Sequence, residues 1–282
     1  ELEIYEYIKS IYSGKIIHDD RKVLDGLELD IYIPDANLAI EFDGIHWHSE
    51  LSGKKNKNYH LDKTLTCNSK GIKLIHIFDI EWKHKQDIVK SILGNMLGNS
   101  SKIYARSCKI MELDSSSSNA FLINNHIQGA GASKAHIGMF FNGELISVMT
   151  FAKSRYDTNA QWEIYRYANK LNTTVVGGAS KLFKYFLKKY NPKSIVTYSD
   201  RRYFTGNVYK NLGFKQCKSS SPNYFYFKSP GMNLTSRVKF QKHKLKQILK
   251  VYDKSLSEWE NMKINGFDRI WDCGNEKFML EF

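Results

Sequence analysis

Two hydrophobic periods alternate along the chain and define its predicted elements. Ile88, Ile92 and Met96 recur at helical spacing, whereas apolar and polar residues alternate over residues 29–33 and 38–43, as they do in half-buried strands. The first part of the chain is therefore predicted to contain helices at residues 2–12, 59–70 and 85–97, a hairpin at 27–43, a loop at 45–58 and a strand at 72–78.

A second group of elements follows the linker-like residues 98–101. Strands that alternate with helices are typical of an α/β domain. The strands are predicted at residues 137–141, 145–151, 163–168, 194–199 and 224–227, and the helices at 180–190 and 207–212.

The last part of the chain is strongly basic. Residues 237–250 contain six Lys or Arg residues, one His and no acid. In a helix, Leu245, Ile248, Leu249 and Tyr252 would share one face. We therefore expect three consecutive segments, residues 1–98, 103–228 and 229–282, of which the last is a basic helical extension.

Composition limits the class of protein. With 282 residues, 42% of them hydrophobic, the chain is long enough for about two folded domains. No apolar run approaches the roughly 20 residues of a membrane span, and the N-terminus has no secretory pattern, so no segment that would insert into a membrane is expected. The four cysteines are scattered, which predicts reduced thiols in a cytoplasmic protein, without disulfides or a structural zinc site.

Charge is unevenly distributed along the chain. The formal net charge is +13, yet residues 1–98 hold 13 Lys/Arg against 16 Asp/Glu, which leaves 29 against 13 for the remainder. A basic body predicts a polyanionic partner, with double-stranded DNA the first candidate and an anionic membrane surface the second. The predicted phosphate contacts are Arg237, Lys239, Lys242, Lys244, Lys246, Arg201 and Arg202.

Carboxylates converge on one face of the predicted hairpin. A tight turn at Asp35 and Ala36 would place Asp30 opposite Glu41, with their Cβ atoms about 4.5–5.5 Å apart. Asp43 would then lie diagonally from Asp30 on the same face. Like charges this close require a compensating cation or protonation, and Mg²⁺ or Mn²⁺ fits oxygen ligands. His48 is the predicted general base, whereas Trp47 is interpreted as a core residue and His76 as a packing or surface residue. The predicted catalytic set is Asp30, Glu41, Asp43, His48, His60 and Asp62, the first three as metal ligands.

Residues 27–34 and 40–48 resemble the very-short-patch-repair-like and EDxHD nucleases of the PD-(D/E)xK group, over about residues 1–98. The resemblance implies a restriction-endonuclease-like α/β domain, a metal held by Asp30 and Glu41, and His48 as the family's histidine. His60 or Asp62 would occupy the place of the last catalytic acid. The implied activity is nicking or double-strand cleavage by a homing or phage endonuclease.

Residues 175–179 and 207–214 resemble GNAT-type acyltransferases, including phage DNA-modification relatives of the Mom kind. The resemblance implies a GNAT-like α/β domain in which Tyr209 protonates the departing thiolate. Thr174 stands where the family usually has Gln or Arg, and Glu163 lies on the strand that often carries a base. The implied acyl-CoA contacts are Gly177, Gly178, Ala179 and Tyr209.

Three functions are compatible with these patterns. The principal hypothesis is a metal-dependent DNA endonuclease followed by a GNAT-like domain that binds DNA. The alternatives are a nucleobase-modifying acyltransferase and a DNA-binding protein without catalysis.

Overall fold

The computed structural model describes residues 1–228 and 234–282, which form two compact units. The first unit contains Glu1, Lys15–His84 and Ser221–Gly274, and the second contains Leu2–Gly14, Lys85–Ser220 and Asn275–Phe282. This partition differs from the three consecutive segments expected from the sequence, because each unit is assembled from separate stretches of chain. The expected boundary at residue 229 lies outside the described residues.

The elements are as follows. The helices are α1 (Leu2–Ile11), α2 (Ile45–His48), α3 (Tyr59–Ser69), α4 (Asp79–Met96), α5 (Ser115–Asn125), α6 (Gly178–Tyr190), α7 (Asn207–Asn211), α8 (Lys242–Ile248) and α9 (Glu258–Ile264). The strands are β1 (Ile17–Leu24), β2 (Leu27–Ile33), β3 (Leu38–Asp43), β4 (Lys73–Phe78), β5 (Ser101–Tyr104), β6 (Lys109–Glu112), β7 (Ala135–Phe141), β8 (Glu144–Lys153), β9 (Trp162–Asn169), β10 (Thr173–Val176), β11 (Ser194–Asp200), β12 (Lys215–Gln216), β13 (Tyr224–Phe227), β14 (Thr235–Ser236), β15 (Asp268–Trp271) and β16 (Asn275–Glu281).

The first unit is built on a sheet of order β1-β2-β3-β4, in which β3 and β4 are parallel and the other pairs antiparallel. The alternation read in the sequence is confirmed in β2, where Leu29, Ile31 and Ile33 are fully buried. Ile31 pairs with Ile40, so the predicted hairpin register, which sets Asp30 beside Glu41, is also confirmed.

A smaller sheet of order β14-β13-β15 completes the first unit. Leu245 of α8 and Met262 of α9 are fully buried in an aromatic cluster with Tyr226 and Trp271. The predicted apolar face is confirmed in part: Leu249 and Tyr252 pack against this cluster, but α8 ends at Ile248, which is 48% exposed. The expectation of a purely helical extension is wrong, because β15 and β16 each pair with strands of a sheet.

The second unit contains a sheet of order β12-β16-β11-β9-β8-β7-β6. Helix α6 is amphipathic and buries Leu182, Phe183 and Phe186 against this sheet. The Phe186 ring stacks on Phe151 of β8 with centroids 3.5 Å apart. The prediction of a mixed α/β fold is confirmed. Across residues 1–228 and 234–282, no helix combines the length and apolar character that a membrane crossing needs.

Candidate functional site

The facing carboxylates of the first unit are compensated by a lysine. Asp30 Oδ2 accepts the Phe42 N–H at 2.7 Å, and Glu41 Oε1 accepts the Asp30 N–H at 3.3 Å. Lys63 of α3 forms an ion pair with Glu41. Burial, followed by the charge of Asp30, raises the pKa of Glu41 to about 7. One of the like charges that led us to expect Mg²⁺ or Mn²⁺ is thus offset by an ammonium group, so the facing carboxylates by themselves no longer require such an ion.

Asp43 lies at the centre of a separate buried cluster. Its Oδ1 is 3.0 Å from His48 Nδ1 and 3.6 Å from His60 Nε2, and its Oδ2 is 2.9 Å from His76 Nδ1. The two nitrogens of His48 and His60 are themselves 3.0 Å apart. His76 Nε2 contacts the Thr64 hydroxyl at 3.0 Å. One carboxylate therefore organises three imidazoles.

The protonation states in this cluster follow from burial and charge. Burial opposes ionisation of Asp43, but His60, His76 and His48 more than offset it and hold the Asp43 pKa well below its usual range. Burial lowers the pKa of His60 to about 3 despite the nearby carboxylate. The cluster thus combines a charged carboxylate with a neutral imidazole at His60.

The structure gathers part of the predicted catalytic set. Asp43, His48 and His60 lie together, whereas Asp62 is exposed on α3. The sequence indicated a packing or surface residue at His76, yet His76 pairs with Glu41 in the β3–β4 register and anchors Asp43. Trp47, interpreted as core, is 70% exposed, so that expectation is wrong. The parallel β3–β4 pairing, which the sequence did not specify, brings His76 to the site.

A cleft of the second unit begins at an irregularity in β9. Thr150 and Phe151 of β8 pair with Arg166 and Ile164, so Tyr165 between them is an unpaired bulge residue. The parallel pairing of β9 with β11 ends at the same point, with Thr197 opposite Ile164. A bulge bends its strand and is common beside functional sites. Beyond Ile164 and Thr197 the pairing of β9 with β11 stops, and we call this unpaired region the strand opening.

The predicted glycine turn lies beside the opening. Gly177 caps α6 in the left-handed conformation, with φ +76°. A Cβ on Gly178 would lie 2.9 Å from Val175 Cγ1 and 3.5 Å from the Tyr167 hydroxyl, and Tyr167 is also in contact with the backbone of Ala179. Tyr167 belongs to the end of β9 that does not pair with β11, so the N-terminus of α6 and the strand opening are adjacent.

Two cationic side chains border the same helix terminus. A cleft of about 390 Å³ is lined by Arg106, Gly177, Ser180 and Lys184. Lys181, a further lining residue, donates hydrogen bonds to the Ala105 and Cys108 carbonyls and ties α6 to the segment after β5. The free N–H groups and partial positive charge of a helix N-terminus suit an anion, and the exposed cations reinforce that preference.

Tyr209 of α7 lies next to β11. Its phenol hydrogen-bonds with the Thr197 side chain, and the positive charge of Arg166 on β9 acts on it. Burial raises the Tyr209 pKa above its usual value, although those two neighbours act in the opposite direction, so the phenol carries its proton at neutral pH. Glu163, on the paired part of β9, is only 2% exposed, and both of its oxygens contact Arg155.

The predicted DNA contacts fall into two environments. Arg237, Lys239, Lys242 and Lys246 are exposed, and Lys244 donates to the Val238 carbonyl at 3.0 Å. Arg202 is 2% exposed and paired with Asp200, while the Arg201 side chain is 11% exposed and contacts Ser220 and Glu276. The expectation that Arg201 and Arg202 extend an exposed basic surface is therefore wrong, because both guanidinium groups are engaged internally.

Comparison with known proteins gives matches among solved structures only. No family model and no curated protein matches the chain. An IAA acetyltransferase from Bacillus cereus is 16% identical, with a TM-score of 0.36, over 62% of this chain and 100% of its own. A Bacillus subtilis acetyltransferase in complex with CoA is 15% identical, with a TM-score of 0.35, over 62% of this chain and 97% of its own. A GNAT family acetyltransferase from Elizabethkingia anophelis with acetyl-CoA bound is 15% identical, with a TM-score of 0.36, over 62% of this chain and 99% of its own.

These matches correct the principal hypothesis from the sequence. The identification as a PD-(D/E)xK or EDxHD endonuclease is wrong, because the matching structures are acetyltransferases. The assignments as a hydrolase and as a homing or phage endonuclease, and the requirement for Mg²⁺ or Mn²⁺, are withdrawn with it.

Proposed function

We propose that the second unit is an acyltransferase that uses acyl-CoA. The observation that carries the proposal is the coincidence of the Tyr165 bulge with the end of β9–β11 pairing, beside the N-terminus of α6. Ligands of open α/β sheets bind where strands separate at their carboxyl ends. The opening and the helix terminus together form a place for a ligand with a polyanionic end.

The residues present fit the pyrophosphate of acyl-CoA. Gly178 leaves no room for a Cβ beside Val175, which supports close packing of the turn. Arg106 and Lys184 supply positive charge at the helix terminus. Thr174, at the position where GNAT enzymes usually have Gln or Arg, is used internally, since its hydroxyl lies 2.8 Å from that of Ser100. In this chain Arg106 and Lys184 would take over that contribution.

In the proposed reaction, groups of the protein bind the phosphates of acyl-CoA and protonate the leaving sulfur. Bound acyl-CoA would supply an activated thioester. The N–H groups at Gly178 and Ala179 would orient its phosphates. As the acceptor nitrogen forms its bond to the acyl carbon and the C–S bond breaks, the protonated Tyr209 would donate its proton to the leaving sulfur, and the proton lost by the nitrogen would return to the phenolate through solvent. Because both Glu163 oxygens contact Arg155, we do not assign the role of general base to Glu163.

We further propose that the acceptor is an amino group of a nucleobase in double-stranded DNA. The net charge of +13 and the exposed cations of residues 237–246 support a polyanionic partner. A DNA-binding protein without catalysis is the competing alternative.

Acetyl-CoA tests the proposal in two steps. Ligand at 100 times its Kd stabilises the native state by about 2.7 kcal/mol, so the melting temperature of the full chain should rise. Thiol release should then depend on added double-stranded DNA. No thermal shift at millimolar acetyl-CoA would contradict the acyltransferase assignment. A shift without DNA-dependent thiol release would contradict the acceptor alone.

A further inference from the structure

We propose that Asp43, His48 and His60 bind a divalent transition-metal ion of the zinc class. The site lies entirely in the first unit and does not depend on the acyltransferase assignment. Its ligands would be two imidazole nitrogens and one carboxylate oxygen. It uses no cysteine, and it differs in donor set from the oxygen site that the sequence suggested for magnesium.

The spacing of the three donor atoms carries the inference. The edges of the triangle are 3.0 Å from Asp43 Oδ1 to His48 Nδ1, 3.0 Å from His48 Nδ1 to His60 Nε2, and 3.6 Å from His60 Nε2 to Asp43 Oδ1. Tetrahedral zinc with bonds of about 2.0–2.1 Å separates its ligand atoms by roughly 3.3 Å. The three atoms thus already have the spacing of one face of a zinc coordination tetrahedron.

Asp43 supplies an independent observation. Its side chain is fully buried, yet Oδ1 has no hydrogen bond of acceptable geometry from a described residue. The other oxygen is held by His76 Nδ1 at 2.9 Å, and His76 is in turn held by Thr64. A buried carboxylate oxygen without a well-aligned hydrogen-bond donor is costly. The His76 and Thr64 contacts turn that oxygen towards His48 and His60, as outer-shell groups do for metal ligands.

Access and ligand chemistry agree with a metal ion. The His48 side chain is 17% exposed, whereas His60 and Asp43 are 1% and 0% exposed. An ion can therefore enter past His48 and keep one coordination position towards solvent. Two imidazoles with one carboxylate form a donor set that favours zinc and neighbouring transition metals over Mg²⁺.

Two other arrangements compete with this assignment. Without metal, His48 and His60 could share one proton between their facing nitrogens. An exposed cluster of Glu1, His18 and Asp19 also has ligand-like spacing and could take up metal from solution. The experiment must separate the buried triangle from both.

The test is titration of the metal-free full chain with Zn²⁺ by calorimetry, repeated with Co²⁺ as a spectroscopic probe. We expect one ion per chain and visible d–d absorption from cobalt. His48→Gln should weaken binding by more than about 100-fold, beyond the 10–100-fold typical of outer-shell changes. His48 is partly exposed, so this variant should keep its circular dichroism spectrum.

Two histidine variants serve as matched controls. His46→Gln, an exposed histidine in the same short helix, and His18→Gln should both leave the affinity unchanged. Absence of stoichiometric binding by the wild type would overturn the proposal in favour of a shared proton. Binding that survives His48→Gln but is lost in His18→Gln would overturn it in favour of the exposed cluster.

Discussion

The ammonium group of Lys63 pairs with the Glu41 carboxylate inside the first unit, where the two side chains are 12% and 3% exposed. Removing one partner of a buried pair leaves an uncompensated charge and typically costs about 3–5 kcal/mol. Glu41, with its pKa of about 7, can take up a proton when Lys63 is lost, so we predict that Lys63→Met lowers the free energy of unfolding mainly at alkaline pH, as measured by urea denaturation.

The double variant Lys63→Met/Glu41→Leu is the control for this prediction. It removes both charges and should recover most of the lost stability, since apolar replacement of a buried pair is often neutral. Equal destabilisation of the single and double variants would show that packing, and not charge, explains the loss.

The sequence predicted the hairpin and its register because alternation and a short turn determine which residues face one another. It did not predict the partners of the carboxylates. Lys63 and His76 come from a later helix and strand, and their approach depends on the parallel β3–β4 pairing, which no local pattern encodes. The prediction that Trp47 lies in the core was wrong for a related reason, since hydrophobic character alone does not distinguish a core position from an exposed one.

The second unit was predicted at the level of its elements. The helix after the glycine turn and the strands around it were identified because their periodicity is strong. The Tyr165 bulge was not, because one inserted residue leaves no distinct compositional signal. The opening between β9 and β11 depends on that bulge, so the geometry of the cleft could not be obtained from the sequence.

His126 should make the second unit sensitive to acid. Burial, followed by Arg166 and Lys85, lowers its pKa to about 3, compared with about 6.5 in an unfolded chain. Between these values the unfolded state binds a proton that the native state does not, so stability falls as pH falls. The loss between pH 7 and 5 should be about 2 kcal/mol.

Thermal denaturation at both pH values tests this sign. His126→Gln should reduce the difference in melting temperature between pH 7 and 5, whereas the exposed His46→Gln should not. A pH difference unchanged by His126→Gln would assign the acid sensitivity to other groups.

Tyr209→Phe should separate chemistry from binding in acyl transfer. The variant removes the buried phenolic proton but keeps the ring, so we predict a fall in kcat of about 10²–10⁴ with little change in KM for acetyl-CoA. Tyr156→Phe, at a tyrosine that is 68% exposed, is the matched control. A rise in KM with unchanged kcat would show that Tyr209 binds substrate and does not protonate the leaving group.

The basic segment should determine the salt dependence of DNA binding. Each phosphate contact contributes roughly 0.9 to the slope of log K against log salt. Lys242 and Lys246 are exposed, whereas Lys244 donates a hydrogen bond to the Val238 carbonyl. Two of the three lysines are thus available for phosphates, so replacing all three with Ala should reduce the slope by about 2. Fluorescence anisotropy over a salt series measures it.

The same loss of charge elsewhere controls for a general effect. Lys102, Lys109 and Lys218 are exposed in the second unit, and their replacement with Ala should change the slope less. Equal effects of the two triple variants would indicate that net charge, and not local contact, drives binding.

The most direct test of the acyltransferase assignment is amide hydrogen exchange with and without acetyl-CoA. We predict slower exchange in residues 165–169 of β9 and 177–184 of α6, which border the strand opening and the helix terminus. The protection should be much reduced in Arg106→Ala/Lys184→Ala and retained in Lys188→Ala, at the other end of α6. Protection confined to other segments, or none at saturating acetyl-CoA, would contradict the assignment.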